Sequence, residues 1–147
     1  MSGPQDMKEV TIASLDAEAV KAVEWARAQL PMAYAPYSRF PVSCVLVLEG
    51  GDFVTGVNVE NSSYGLTVCA ERVAVFQAVK EGHRKFRLLV IVTQTDEPST
   101  PCGACRQVLS EFAEDLRILL VGRQKIFDCR LRDLLPHPFG DWRQGEG

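Results

Sequence analysis

Two runs of the chain, residues 42–48 (VSCVLVL) and 86–93 (FRLLVIVT), are apolar at almost every position, and they constrain the fold more than any other feature. A strand with one wet face alternates apolar and polar side chains, whereas a strand apolar at consecutive positions is buried on both sides. Both runs therefore need a layer of cover above and below. The helical candidates supply it. Residues 15–30 carry apolar side chains at 15, 19, 20, 22, 23, 26 and 30, a helical period that starts near Ser14 and stops at Pro31. Residues 71–80 are rich in helix formers and end at Gly82; a third helix runs from Cys102 to about Ala113, and a short one lies near residues 131–135. Further strands are expected at 53–59, paired with 42–48 around Gly50-Gly51-Asp52, at 118–121, and around Ile126-Phe127. The order α-β-β-α-β-α-β-β-α predicts an α/β fold of three α-β-α layers with a mixed five-stranded sheet. The link over residues 122–125 is too short for a parallel crossover, so its two strands are expected to be antiparallel. Residues 1–13 read as a polar arm, 14–141 as a single domain, and 142–147 as a tail.

The cysteines point to chemistry. Cys69-Ala70-Glu71 and, after a gap, Pro101-Cys102-Gly103-Ala104-Cys105 offer three thiolates and a carboxylate. Cys102 and Cys105 stand three apart, so one helical turn faces both the same way, and the preceding proline suits a loop-to-helix transition. Cys69 also opens a helix, and helix N-termini lower thiol pKa values. Three ligands leave the fourth tetrahedral position of a zinc ion free for water, which separates catalytic from structural zinc. A dication among three thiolates carries about one net negative charge, which opposes ionisation of that water. Arg72, beside the site in sequence, is the candidate to offset it by donating to a ligating sulfur. Glu71 is poorly placed to ligate and well placed to carry protons between the water and a leaving group. The plain alternatives are a first-turn glutamate serving the helix dipole and a surface arginine. Cys44 reads as a small core residue. Cys129 as a fourth ligand would close the site and make a structural zinc module. Neither His83 nor His137 is required, while Trp25 suits packing on the first helix and Trp142 an interface or loop cover.

These motifs resemble the zinc-dependent cytidine deaminases. So do residues 35–42 (APYSRFPV), 56–66 (GVNVENSSYGL) and 134–140 (LLPHPFG), in the same order, and the likeness runs from about Leu15 to Gly140. The resemblance implies a cytidine deaminase-like fold of the small, homotetrameric, three-cysteine type, with one Zn2+ per subunit. It implies that Asn58 and Glu60 bind ribose hydroxyls, Phe40 packs on the pyrimidine, the backbone N–H of Ala70 meets the base O2, and the carbonyl of Thr100 meets the departing amine. Tyr64, in the loop over residues 61–66, and Phe139 match parts that one subunit lends to a neighbour's substrate site. The implied reaction is attack of water at C4 of cytidine or deoxycytidine, with Glu71 protonating N3 and then the amino group, as in pyrimidine salvage. A deaminase of a cytosine-bearing nucleoside antibiotic shares all this chemistry and differs only around Asn58, Glu60 and the aromatics.

Composition bounds the rest. The 147 residues carry a net charge of −3, which opposes a polyanionic nucleic-acid partner and favours a small nucleoside. Five cysteines, an odd number, with no N-terminal apolar leader fit metal binding in the cytoplasm better than a disulfide framework. No segment suits a membrane span.

Overall fold

In the computed structural model, residues 7–113 and 115–140 are described. Along the chain the elements are β1 (Lys8–Val10), α1 (Ala17–Gln29), β2 (Val42–Leu48), β3 (Phe53–Val57), α2 (Ala70–Lys80), β4 (Phe86–Thr93), α3 (Gly103–Ser110), β5 (Arg117–Val121), β6 (Ile126–Arg130) and α4 (Leu131–Leu134). The strands form one mixed sheet in the order β1-β6-β5-β4-β2-β3, in which only β4 and β5 are parallel neighbours.

Strand pleating sorts the two continuous apolar runs into two cores. Cys44, Leu46, Leu89, Ile91, Ile118 and Leu120 face α2 and α3 and pack with Ala74, Val75 and Leu109. Val45, Val47, Leu88, Val90, Leu119 and Val121 face the other way, onto Ala19, Ala22, Val23 and Ala26 of α1. Each of the larger side chains contributes about 1.5–3 kcal/mol by leaving water, so both faces of the central strands stabilise the fold. The small alanines of α1 let that helix sit close to the sheet. Asp16 sets its start by accepting a hydrogen bond from the Ala19 N–H at 3.2 Å.

The sheet has six strands rather than the expected five. The extra one, β1, falls within the segment read as a polar arm and pairs Lys8 with Asp128 and Val10 with Ile126. It escapes a hydrophobic pattern because an edge strand can be held by backbone pairing while its side chains remain charged and wet. The strand expected over 53–59 ends at Val57 because Asn58 turns its amide into the ladder, its Oδ1 accepting from the Val42 N–H at 2.9 Å. The third helix stops at Ser110, short of residue 113, in tightened turns from Glu111 to Val108 and from Phe112 to Leu109. The link over residues 122–125 closes the antiparallel pair of β5 and β6. Trp25 of α1 meets Phe53 edge-on, with ring centroids 5.2 Å apart. Trp142 and the tail over 142–147 lie outside the described residues. No helix among the described residues is long and apolar enough to cross a membrane.

Topology then decides where the chemistry sits. Because β2 runs antiparallel to both β3 and β4, the C-terminal ends of β3 and β4 lie on one rim of the sheet, and α2 and α3 follow from that rim. Gly56 makes the close approach of β3 to α2 possible. A Cβ there would stand 2.3 Å from the Ala70 carbonyl oxygen and 2.8 Å from the Ala74 nitrogen, both backbone atoms that cannot yield cheaply. Gly56→Ala is therefore expected to push the start of α2 off the sheet at a cost of about 2 kcal/mol or more. Thermal unfolding should record this as a melting temperature lowered by roughly 4–8 °C.

Candidate functional site

Cys69 and Cys102 occupy the N-cap positions of α2 and α3, and Cys105 lies one turn into α3. Their sulfurs converge: Cys69 Sγ to Cys102 Sγ is 3.7 Å, Cys102 Sγ to Cys105 Sγ is 3.3 Å, and all three lie within 4.8 Å of one another. Sulfurs around a tetrahedral zinc with bonds of about 2.3 Å stand about 3.8 Å apart, so the spacing fits such an ion. The local backbone is already committed to this arrangement. The Cys105 N–H donates to Cys102 Sγ at 3.4 Å, so one of the three convergent sulfurs also caps α3. Cys129 is not in the cluster; buried, with its thiol directed at the Ile118 carbonyl 3.7 Å away, it is pushed up to about 12, mainly by burial. Among the described residues the cluster offers three candidate ligands, Cys69, Cys102 and Cys105.

The electrostatics match a thiolate centre. Hydrogen bonding from Cys105 first, then from Arg72, draws the Cys69 thiol down to about 5 against the opposing effect of burial. Cys105, the proton-holding partner in that pair, moves up. Arg72 lies one turn along α2 from Cys69 and donates from Nη2 to its sulfur at 3.5 Å. That hydrogen bond also holds the guanidinium firmly charged. Its Nε is buried without a hydrogen-bond partner, a costly placement unless negative charge lies close by. Three thiolates around a bound dication would supply that charge.

Glu71 is only 4% exposed, in the first turn of α2. Burial is the main force raising its carboxyl above the usual range, and its own backbone N–H, the Cys105 thiol and Arg72 pull partly against it. It therefore holds a proton more readily than a solvated glutamate, as an acid/base that must both accept and return one does. Beneath it Cys44 behaves as the core thiol expected from sequence: it donates to the Ala70 carbonyl at 3.3 Å, and burial keeps it protonated.

Glu71, Cys69 and Cys102 open onto a cavity of about 410 Å³. Its wall brings together Phe40, Asn58, Glu60, Ala70, Glu71 and Thr100, residues separated by up to sixty positions in the chain. The sequence reading missed Ser38, Thr67, Ile91, Thr93 and Ser99, which also line it. Ile91 and Thr93 alternate into the cavity from the C-terminal end of β4, a placement that only the strand directions reveal. Tyr64 and Phe139 are not part of this wall. Tyr64 is 75% exposed and packs edge-on against Tyr37 at 6.0 Å; Phe139 is 87% exposed, its backbone held at both N–H and carbonyl by the Gln107 amide.

A sequence profile of the cytidine and deoxycytidylate deaminase zinc-binding region matches residues 17–120. The chain belongs to this deaminase family. A cytidine deaminase of Sporosarcina psychrophila is 48% identical over 109 residues, covering 73% of this chain and 80% of that protein. A blasticidin-S deaminase of Bacillus cereus is 29% identical over 138 residues, 88% of this chain and 96% of that one. The crystal structure of cytidine deaminase from Burkholderia pseudomallei superposes with a TM-score of 0.79 at 42% identity, covering 85% of this chain and all of that one. The six-stranded sheet is thus a deaminase fold, and the three sulfurs stand in its zinc-binding region.

Proposed function

We propose that the protein hydrolyses cytidine and deoxycytidine to uridine and deoxyuridine, releasing ammonia, as a cytoplasmic enzyme of pyrimidine salvage. The observation that carries this is the buried carboxylate of Glu71, set beside three convergent sulfurs in a cavity large enough for a nucleoside. Cys69, Cys102 and Cys105 would hold a zinc ion, which would supply the Lewis acidity that makes a water nucleophilic near neutral pH. The chain's own groups do the rest. Glu71 takes a proton from the water as the water oxygen bonds to C4 and delivers that proton to N3 of the cytosine; it then takes the second proton from the new C4 hydroxyl and passes it to the amino group as the C4–N bond breaks and ammonia leaves. The Ala70 N–H donates to O2 of the base, and the Thr100 carbonyl accepts from the leaving amine. Phe40 covers the ring, Asn58 and Glu60 take the sugar hydroxyls, and Arg72 offsets the negative charge of the sulfurs.

The same reading includes a homotetramer. Tyr34, Tyr37, Val59, Tyr64, Leu66 and Phe139 leave much of their apolar surface exposed, Phe139 from a segment held by Gln107 of α3. A neighbouring subunit would cover this surface and place Tyr64 and Phe139 at an adjoining site. One experiment tests function and assembly together: ammonia release by zinc-loaded protein from cytidine, deoxycytidine, cytosine and a single-stranded oligonucleotide, with the mass followed by light scattering. Turnover of the two nucleosides alone, at four times the 16.3 kDa chain mass, is expected. Full activity at monomer mass would end the shared-site proposal. A strong preference for blasticidin S over cytidine would move the substrate assignment to the antibiotic.

A further inference from the structure

The segment from Tyr37 to Pro41 crosses the cavity mouth with neither helix nor strand to hold it; of its backbone N–H groups, those of Tyr37 and Ser38 donate to the Glu60 side chain, that of Phe40 to the Ser38 hydroxyl and that of Arg39 to the Ala35 carbonyl. Asn58 and Glu60, two apart and thus on one face of the extended chain, anchor the segment from its two ends. Glu60 Oε1 accepts from the N–H groups of Tyr37 at 2.9 Å and Ser38 at 3.0 Å, while Oε2 accepts from the Ser38 hydroxyl. The Asn58 amide donates to the Phe40 carbonyl at 3.0 Å and accepts from the Val42 N–H at 2.9 Å. Ser38 Oγ closes the circuit by accepting from the Phe40 N–H at 3.0 Å. Between Ser38 and Phe40, Arg39 is held at a φ of +56°, a left-handed conformation that a side chain adopts only when its neighbours fix it.

A carboxylate offers about four acceptor positions, of which Glu60 uses three here, and the Asn58 amide keeps one donor and one acceptor free. Both can therefore contact a sugar while they hold the segment that carries Phe40. We infer that Ser38 is a positioning residue for the deamination reaction: its hydroxyl ties Phe40 to the Glu60 carboxylate, so that sugar and base are recognised as one unit. The inference rests on reading the cavity as a nucleoside site. Discrimination against free cytosine follows, because the aromatic platform is held by the groups that read the sugar.

The test crosses a residue with a substrate group. In zinc-loaded protein, Ser38→Ala should lower kcat/KM for cytidine by about tenfold, chiefly through KM, with zinc content unchanged. Ser38→Thr, which keeps the hydroxyl, should stay close to wild type. Replacing cytidine by 2′,3′-dideoxycytidine should cost Ser38→Ala less than it costs wild type, a departure from additivity of at least about threefold. With 4-fluorophenylalanine at position 40, the fluorine resonance of the Ser38→Ala protein should broaden or shift relative to its Ser38 parent. Additive losses, or an unchanged resonance, would overturn the inference. Failure of wild type to deaminate cytidine would instead sink the functional reading, and the resonance would still decide whether Ser38 holds Phe40.

Discussion

Glu71→Gln should lose about three orders of magnitude in kcat while keeping its zinc and its fold. The amide matches the carboxylate in size and fills the same buried position at the start of α2, so the three sulfurs are left undisturbed. What disappears is the ability to take up a proton and give it back. Because burial already opposes the ionised form of Glu71, the uncharged variant should melt no lower than wild type. Metal analysis, thermal unfolding and single-turnover kinetics on the same preparation separate these effects. Turnover equal to wild type would remove Glu71 from the chemistry. Zinc lost together with turnover would make it a ligand rather than a proton carrier.

Cys102→Ala should fail for the opposite reason. Its sulfur stands within 3.7 Å of both other cysteines and also caps α3 through the Cys105 N–H, so one substitution removes a ligand and a helix cap. Loss of the cap alone costs about 1 kcal/mol. Loss of one sulfur in three lowers metal affinity much further, and metal affinity contributes to folding. Purified Cys102→Ala should therefore contain almost no zinc and show no measurable turnover. Adding a chelator should lower the melting temperature of wild type and leave that of the variant where it was. A variant that retains stoichiometric zinc would show that two sulfurs suffice to hold the ion.

The parts of this molecule that were readable from its sequence share a physical cause. Consecutive apolar residues at 42–48 and 86–93 announce strands buried on both faces, and those boundaries match β2 and β4. The cysteine spacings announce a shared ion because a helix turn fixes the direction of Cys102 and Cys105, and the sulfurs do converge. Less readable is whatever depends on backbone pairing or on side chains turned back onto the chain. Lys8 and Glu9 look like solvated polar residues until β6 supplies hydrogen bonds to their backbone. Family resemblance marks Asn58 and Glu60 as candidate sugar contacts, but nothing in their identities reveals that they hold the segment bearing Phe40. Ser38 lies within the family-like segment 35–42, but a serine in a polar turn is ordinary and nothing there singles it out. Gly56 shows its purpose only when the helix above it is in place.

The two-sided burial of β2 and β4 has an evolutionary consequence. Alternate residues of one strand belong to different compartments: Cys44, Leu46 and Ile91 lie under the catalytic helices, whereas Val45, Val47 and Val90 touch only the opposite layer. Heat tolerance and substrate choice can accordingly drift under separate selection within a single strand, the former by repacking against α1 and the latter by changes along the rim.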